Sequence, residues 1–300
     1  METQQVFNIS RSDINHSAEP FLKWAGGKRQ LLAEIEEHIP AKFCNYLEPF
    51  LGGGAAFFHL YNKNLLKNKI TLIDNNPELI NAYITIKNNV MDLLKLLAEF
   101  KKHYIENPSN FYYSLRDWDR QKDYVKRDNI EKAARTIFLN KTCFNGLYRV
   151  NSRGFFNVPL GRYKNPNIFN KENFMAISEA LKNTTLICDD FSVCEKIAGP
   201  GDFIYFDPPY FPISDTSCFT GYTKEDFGEK EQSKLKDTFI KLSESGCFVM
   251  LSNSSSEFIR NLYSEFNIFE VSAKRFINCV SEGRGPINEL LVTNYQRTTI

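Results

Sequence analysis

The chain has 300 residues, of which 42% are hydrophobic and 24% are charged, and these proportions are typical of a globular protein rather than a disordered, collagen-like or coiled-coil chain. Its formal net charge is +1, so the chain as a whole is not a polycation. No stretch reaches the roughly eighteen uninterrupted apolar residues of a membrane span, and the polar N-terminus lacks the apolar segment of a signal peptide. We therefore expect no membrane partner and a cytoplasmic location.

The cysteines and histidines give no sign of a disulfide framework or a metal site. There are seven cysteines, an odd number, and no pair has C-x-x-C spacing. The four histidines also lack metal-binding spacing. We expect reduced thiols and no metal, and we consider zinc hydrolysis and histidine-based nucleophilic catalysis poor starting hypotheses.

Three regions follow one another along the chain. Residues 20–85 alternate between helical and strand patterns, residues 86–173 are mostly helical, and residues 174–300 alternate again. Alternation on both sides of a helical insert predicts an α/β sheet interrupted by a second domain. We expect one domain of residues 1–85 and 174–300, and a second of residues 86–173. The predicted strands are NYLEPF, KITLIDNN, TTLICDDF, GDFIYFDPPY, GCFVMLSN, FNIFEVSA and NELLVTNY.

A glycine-rich loop in the first region is typical of a nucleotide-sized ligand site. Glu48 ends one predicted strand, Gly52–Gly54 follow before a helix, and Asp74 ends the next strand. Glycines allow close approach of a ligand to the main chain, and a carboxylate at the second strand end can accept hydrogen bonds from ribose hydroxyls. The loop does not match G-x-G-x-x-G, so a simple strand-to-helix turn remains an alternative.

The tetrapeptide Asp207-Pro208-Pro209-Tyr210 follows the apolar segment FIYF and should occur by chance in about one chain of this length in a thousand. An exocyclic amino group on a base is a poor nucleophile because its lone pair is delocalised into the ring. A carboxylate and a carbonyl on a rigid turn could accept its hydrogen bonds and aim the lone pair. Tyr210 offers a flat face on which a base could stack. The alternative is a buried turn at a strand end.

A basic segment lies in the middle region. Residues 132–171 contain eight Lys or Arg and no Asp or Glu, with aromatic residues between them. The four residues 151–154, with aromatic and branched neighbours, predict a hairpin turn. A focused basic segment in a chain of near-zero net charge is what a DNA-binding surface requires, with most cations on phosphates. A solvated basic surface over a small aromatic core is the alternative.

Taken in order, FLKWAGGK (21–28), EPFLGGG (48–54), IDNNPELI (73–80), NGLYRVNSRGFFNVPLGRYKNP (145–166) and DPPY (207–210) resemble the Dam-type, S-adenosylmethionine-dependent DNA adenine-N6 methyltransferases. FTGYT (219–223), VMLSNSSSEF (249–258) and ELLVTNY (289–295) also match. The resemblance covers nearly the whole chain from about Pro20. The order of the motifs is that of the alpha group, and the similarity is greatest to its DpnM-like enzymes.

The resemblance implies a Rossmann-like methyltransferase sheet with an inserted, mostly helical target-recognition domain that carries a β-hairpin. It implies S-adenosylmethionine as the cofactor and adenine in double-stranded DNA, within GATC, as the substrate. The target adenine would be held by Asp207, Pro208 and Tyr210. The implied cofactor contacts are Trp24, Lys28, Glu48, Gly52, Gly53, Gly54, Asp74, Asp190, Phe191 and Asp207. The implied DNA contacts are Lys23, Phe144, Asn145, Arg149, Arg153, Pro159 and Arg162.

Within this set, Phe144 would be a wedge between base pairs and Arg149 would face a base. We expect a monomer, with a cognate restriction endonuclease as a candidate partner. Three other functions stay open at this point. They are methylation of a protein glutamine or an RNA base, an oxidoreductase that uses NAD, and a DNA-binding protein without catalysis. The intact DPPY and basic segment argue against the second, and the recognition-like insert argues against the first.

Overall fold

The computed structural model describes residues 17–24, 31–213, 227–273 and 287–296, and the structural statements below concern these residues. They form a seven-stranded sheet in the order β3-β2-β1-β4-β5-β7-β6. The strands are β1 (Tyr46–Glu48), β2 (Ile70–Asp74), β3 (Thr184–Cys188), β4 (Phe203–Phe206), β5 (Phe248–Ser254), β6 (Asn267–Ala273) and β7 (Ile287–Thr293). All seven predicted strands are thus confirmed.

The α-helices of the described ranges connect the strands and build the insert. They are α1 (Leu31–His38), α2 (Ala55–Asn62), α3 (Pro77–Glu106), α4 (Pro108–Arg116), α5 (Asn129–Thr142), α6 (Lys171–Leu181), α7 (Cys194–Ile197), α8 (Glu229–Glu244) and α9 (Glu257–Leu262). Strands β3, β2, β1, β4 and β5 run parallel to one another, whereas β7 is antiparallel to both β5 and β6. This mixed α/β sheet confirms the predicted fold class.

The middle of the sheet is fully enclosed. Every residue of β4 is buried, and one apolar cluster contains Ile204 and Phe206 of β4 together with Leu235 and Phe239 of α8. A parallel strand covered on both faces needs an unbroken apolar run, which explains the sequence FIYF. The turn that follows β4 therefore begins from a rigid base.

The chain divides into two compact units. One comprises the chain up to Lys23 together with Asn81–Asn183, and the other comprises Trp24–Ile80 together with the chain from Thr184 onward. The second unit contains the whole sheet. The expected functional division, with its boundaries after residues 85 and 173, stays a prediction.

The first unit carries the predicted hairpin. The turn is closed by hydrogen bonds from Gly154 N to Asn151 O over 2.8 Å and from Asn151 N to Phe155 O over 2.9 Å, with Gly154 at a φ of 79°. The two arms pair through isolated bridges, Val150 with Phe156 and Cys143 with Leu160, rather than through regular strands. The predicted turn is confirmed, and its arms are short.

No helix in the described ranges has the length and apolar character needed to cross a bilayer. In the same ranges, no three His, Cys, Asp or Glu side chains come together in a way that could hold a metal ion. The five described cysteines are free thiols.

Candidate active site

Carboxylates lie at or just beyond the ends of four adjacent strands in the second unit. Glu48 is the last residue of β1 and Asp74 the last of β2, while Asp207 follows β4 directly. Asp190 follows β3 by two residues. Because these strands are parallel neighbours, the four residues share one edge of the sheet. The carboxyl edge of an open α/β sheet is where such folds bind ligands.

The glycine loop is tied to the carboxylate at the end of β2. The Gly52 amide donates to Oδ2 of Asp74 over 2.9 Å, and the Asn76 amide donates to Oδ1 over 2.9 Å. Gly52 and Gly54 have φ values of 48° and 71°, which only glycine adopts freely. Burial raises the pKa of Asp74 above its ordinary value. Asp74 therefore fixes the shape of the loop, and its remaining lone pairs can still accept bonds from a ligand.

Trp24 lies against the glycine loop. A Cβ atom built on Gly52 would stand only 2.8 Å from Cδ1 of the indole and 3.0 Å from its Nε1. The close packing requires glycine at position 52 for space as well as for backbone angle. The structure thus brings together Trp24, Gly52 and Asp74, three of the predicted cofactor residues. Lys28, also predicted, lies outside the described residues.

Asp190 and Phe191 form a second part of the same edge. Phe191 is buried and stacks on Phe50 with ring centroids 5.3 Å apart. The Asp190 carboxylate accepts from Ser192 N over 3.0 Å and pairs with Lys234 Nζ over 2.9 Å. Burial raises the pKa of Asp190, but the bonds from Ser192 and Lys234 outweigh it and hold the pKa below its usual value. Asp190 is thus an oriented anion.

Glu48 is the most deeply buried carboxyl of the edge. Only 2% of it is exposed, and its Oε2 accepts a hydrogen bond from the Tyr46 hydroxyl over 2.8 Å. Burial raises the pKa of Glu48 to about 8, and the charges of Asp207 and Asp74 act in the same direction. Glu48 is therefore largely protonated at neutral pH, which limits repulsion among neighbouring carboxyls.

The Asp207 side chain is held by the neighbouring strand β5. Ser252 Oγ donates to Asp207 Oδ1 over 2.9 Å, and the Tyr205 hydroxyl lies 3.0 Å from the same Oγ. Ser252 and Tyr205 are both fully buried, so their positions are fixed by the sheet. The carboxylate is oriented by protein groups and is itself only half-buried.

The turn after Asp207 is anchored at Pro209 and Phe211 by the side-chain amides of Gln232 and Asn253. Gln232 Nε2 donates to the Pro209 carbonyl over 3.0 Å, and Asn253 Nδ2 donates to Gln232 Oε1 over 3.1 Å. Asn253 Oδ1 accepts from the Phe211 amide over 3.1 Å. No hydrogen bond within the described part of the chain engages the Pro208 carbonyl, which leaves that oxygen as an acceptor for a ligand.

Tyr210 is oriented by Glu289 of β7. Its hydroxyl donates to Glu289 Oε2 over 3.0 Å, and the residue is half-buried. A tyrosine fixed at its hydroxyl presents its ring at a defined angle, as a stacking platform requires.

The structure identifies supporting residues to which the sequence pattern assigned no role, namely Ser252, Asn253, Gln232 and Glu289. Three of them lie in VMLSNSSSEF and ELLVTNY, segments that matched the family pattern. Polar residues inside an apolar strand pattern were the available signal, because a buried polar group needs a partner. Gln232 lies on an ordinary amphipathic helix and gave no such signal.

Most of the residues predicted to contact DNA lie on the surface of the first unit. Phe144 is 47% exposed, a large fraction for an aromatic ring, and its amide donates to the Pro159 carbonyl over 2.9 Å. Arg149 Nε donates to Asn157 Oδ1 over 2.7 Å, which orients the guanidinium. The other exposed members are Lys23, Asn145, Arg153, Pro159 and Arg162.

The basic segment is less uniformly exposed than its composition suggests. Arg135 is 3% exposed and pairs with Asp119 over 2.7 Å, so it cannot neutralise a phosphate, contrary to the general expectation for this segment. Lys141 is half-buried; burial, aided by the charge of Lys23, lowers its pKa to about 8. The composition of a segment does not distinguish core cations from surface cations.

Lys23 is joined to the turn at Phe144–Gly146 by the buried side chain of Asn140. Asn140 Oδ1 accepts from Lys23 N over 2.8 Å, and its Nδ2 donates to Lys23 O over 2.8 Å and to Gly146 O over 2.9 Å. Lys23 Nζ lies 4.5 Å from the centroid of the Tyr163 ring. Asn140 therefore places Lys23 beside Phe144–Gly146 in one unit.

Comparisons with known proteins agree with this arrangement. The family model described as D12 class N6 adenine-specific DNA methyltransferase matches residues 24–277. The type II methyltransferase M1.LlaDCHI of Lactococcus lactis subsp. cremoris is 47% identical over 289 residues, which cover 96% of this chain and 98% of the relative.

Two further relatives are similar over most of their length. The type II methyltransferase M.MjaIII of Methanocaldococcus jannaschii is 45% identical and covers 92% of this chain and 99% of its own length. The DNA adenine methylase of Serratia marcescens is 36% identical and covers 90% and 96%. These matches argue against two of the alternatives, an oxidoreductase that uses NAD and a methyltransferase that acts on protein or RNA. The chain belongs to the D12 class of N6 adenine-specific DNA methyltransferases and is an enzyme that methylates adenine in DNA.

Proposed function

We propose that the enzyme uses S-adenosylmethionine and binds it at the edge formed by Trp24, Gly52–Gly54 and Asp74. The packing of Trp24 on Gly52 supports this, because only a glycine leaves main chain and indole close enough to form one ligand wall. Asp74 would hold the ribose hydroxyls, and Asp190 and Phe191 would flank the adenine of the cofactor. Glu48, Lys28 and Asp207 complete the proposed set. When bound, the cofactor supplies an electrophilic methyl group on a sulfonium.

We further propose that the target adenine leaves the duplex and enters the DPPY turn. Asp207 and the Pro208 carbonyl would accept hydrogen bonds from its N6 amino group, and Tyr210 would stack on the ring. These contacts would draw the nitrogen toward tetrahedral geometry and aim its lone pair at the methyl carbon of the donor. As the new N–C bond forms, the C–S bond would break and the sulfur would leave as a neutral thioether, while the extra proton on nitrogen would pass to Asp207 or to solvent. Asp207 need not be a strong base, because the methylated nitrogen becomes acidic once its new bond forms.

The observation that carries this proposal is the orientation of Asp207 by Ser252, next to a Pro208 carbonyl that no hydrogen bond within the described residues engages. Two acceptors on one rigid turn match the two N–H bonds of an exocyclic amine. The same pair serves no evident purpose in a turn that only ends a strand.

In the first unit, we propose that the hairpin reads the target and that other cations bind phosphates. Arg149 would be bidentate to a guanine, Phe144 would act as the wedge, and Asn145 and Pro159 would face the target sequence. Lys23, Arg153 and Arg162 would lie near the backbone. The GATC target comes from the resemblance alone. A companion endonuclease, a monomeric state and a cytoplasmic location also stay predictions.

Two assays test the proposal: label transfer tests the cofactor and the target, and fluorescence tests base flipping. Duplexes that contain GATC, and duplexes with one altered base pair, are incubated with S-adenosylmethionine that carries a labelled methyl group. We expect label only in GATC duplexes, recovered as N6-methyladenine. The fluorescence of a 2-aminopurine at the target position should change on binding, because an extruded base loses its stacking on the neighbouring bases of the duplex. Methylation of an unrelated tetranucleotide would refute the target, and an unchanged fluorescence would refute flipping.

A further inference from the structure

A buried ion pair lies beneath the hairpin of the first unit. Asp119 Oδ2 and Arg135 Nη2 are 2.7 Å apart, with side chains only 10% and 4% exposed. Arg135 also donates to the carbonyls of Leu115 over 2.9 Å and Arg116 over 2.7 Å. A buried pair is stable only when its remaining hydrogen bonds are made. Here the guanidinium is anchored on the end of α4, and it fixes Asp119 in turn.

Asp119 and Arg120 both form hydrogen bonds with the main chain of one hairpin residue, Phe156. Phe156 N donates to Asp119 Oδ2 over 2.8 Å, and Arg120 Nη2 donates to Phe156 O over 2.8 Å. The two side chains also pair with each other, with Arg120 Nη1 2.7 Å from Asp119 Oδ1. Two consecutive residues of the 3-10 helix Asp117–Arg120 thus hold both polar groups of the Phe156 main chain.

Phe156 is connected to Arg149 across the hairpin. Phe156 pairs with Val150, and the next residue, Asn157, donates from its amide to the Arg149 carbonyl over 3.0 Å. The Asn157 side chain accepts from Arg149 Nε over 2.7 Å. A shift of the Phe156 main chain would therefore move the groups that orient the Arg149 guanidinium.

We propose that Asp119 and Arg120 are positioning residues for target recognition, which set the hairpin register at Phe156 and thereby the aim of Arg149. This inference rests on the proposed DNA-reading role of Arg149. Bidentate recognition of a base edge depends on atomic placement, whereas attraction to phosphates depends mainly on charge. Loss of the hydrogen bonds from Asp119 and Arg120 to Phe156 lowers discrimination between sequences and leaves general DNA affinity nearly intact.

Two variants and one matched control test the proposal in the full-length enzyme. Arg120→Met removes the donor to Phe156 O and leaves the Asp119–Arg135 pair in place. Asp119→Asn keeps an acceptor for Phe156 N but removes the charge that faces both guanidiniums. The control Asp123→Asn makes the same charge change four residues further along the chain, at an exposed side chain.

The readout is the ratio of methylation rates on the duplex that the wild type prefers and on duplexes with one changed base pair. We expect this ratio to fall about tenfold in the first two variants and to stay within about twofold in the control. Binding of S-adenosylmethionine should not change in any of them, and this separates positioning from a general loss of structure. If Asp119→Asn does not fold, Arg120→Met decides. A folded Arg120→Met enzyme with wild-type discrimination overturns the proposal.

Arg149→Ala is measured in parallel, because it tests the function on which the inference depends. If Arg149→Ala leaves discrimination intact, the reading role of Arg149 fails and the inference fails with it. If Arg149→Ala lowers discrimination while Arg120→Met does not, the reading role stands and only the inference about Asp119 and Arg120 is refuted.

Discussion

The Ser252 hydroxyl donates a hydrogen bond to Oδ1 of Asp207 over 2.9 Å. Ser252 lies on strand β5 and Asp207 follows the neighbouring strand β4, so a side chain of β5 sets the rotation of the carboxylate at the end of β4. Tyr205 lies on strand β4, which directly precedes Asp207, and its hydroxyl is 3.0 Å from the Ser252 hydroxyl. An acceptor that is oriented before the substrate arrives needs no reorganisation during the reaction. We therefore predict that Ser252 is a positioning residue, which would act on the reaction through Asp207 without contact to the substrate.

Replacement of Ser252 by alanine should slow methyl transfer. Without its donor, the Asp207 carboxylate can rotate away from the angle that the amino group requires, and we expect the single-turnover rate to fall about tenfold. Affinity for DNA and cofactor should stay within about twofold, since neither is held by Ser252. Ser254→Ala, on the same strand, is the matched control and should retain the wild-type rate. An unaltered rate in Ser252→Ala would show that the sheet alone orients Asp207.

Replacement of Gly52 by alanine should weaken cofactor binding. The new Cβ would lie 2.8 Å from the Trp24 ring, and the φ of 48° is strained for alanine. We expect the dissociation constant for S-adenosylmethionine, measured by calorimetry, to rise about tenfold or more. Gly199→Ala is the control, because a Cβ there meets nothing within 4 Å. Equal affinities of the two variants would argue against a cofactor at this loop.

Glu48→Gln should change how stability depends on pH. The pKa of Glu48 is about 8 in the folded enzyme against an ordinary 4.5, so between these values the folded state holds a proton that the unfolded state has lost. Stability contributed by this carboxyl therefore falls as pH rises through that range. Glutamine does not titrate. The free energy of unfolding of the variant, relative to wild type in urea titrations, should increase from pH 5 to 8.5. A pH-independent difference would place Glu48 in a solvated site.

Replacement of Arg149 and of Arg153 by alanine should change DNA binding in different ways. Loss of a bidentate base contact should cost about 1–3 kcal/mol of discrimination at one base pair. Loss of a phosphate contact should weaken all sequences alike and reduce the slope of affinity against salt. Binding titrations at several salt concentrations distinguish the two. A uniform loss in Arg149→Ala would make Arg149 a phosphate contact.

The fold was largely predictable because its signals are local. Apolar runs that end in Glu48, Asp74 and Asp207 mark parallel strands, and the glycines mark the turn between strand and helix. The parallel order of these strands then places the three carboxyls on one edge, which the sequence could suggest but not prove. The short pairing of the hairpin arms was not predictable, and neither was the hydrogen bond from Phe156 N to Asp119 in the 3-10 helix Asp117–Arg120.

The supporting contacts depend on long-range geometry. Ser252 lies 45 residues from Asp207 and Glu289 lies 79 residues from Tyr210, so no local pattern joins them. Arg135 lies in a basic segment typical of a DNA-binding surface, yet its side chain is buried and paired with Asp119. Burial of a charged group follows from the arrangement of α4 and α5, which a single sequence does not reveal.

The most direct test of the central claim is the single-turnover rate of Asp207→Ala on a duplex that contains the target adenine, with DNA affinity measured on the same preparation. If Asp207 holds and aims the amino group, methylation should fall by at least about a thousandfold, because positioning supplies most of the rate. DNA affinity should stay within a few fold of wild type. A variant that keeps nearly the full rate would contradict the account.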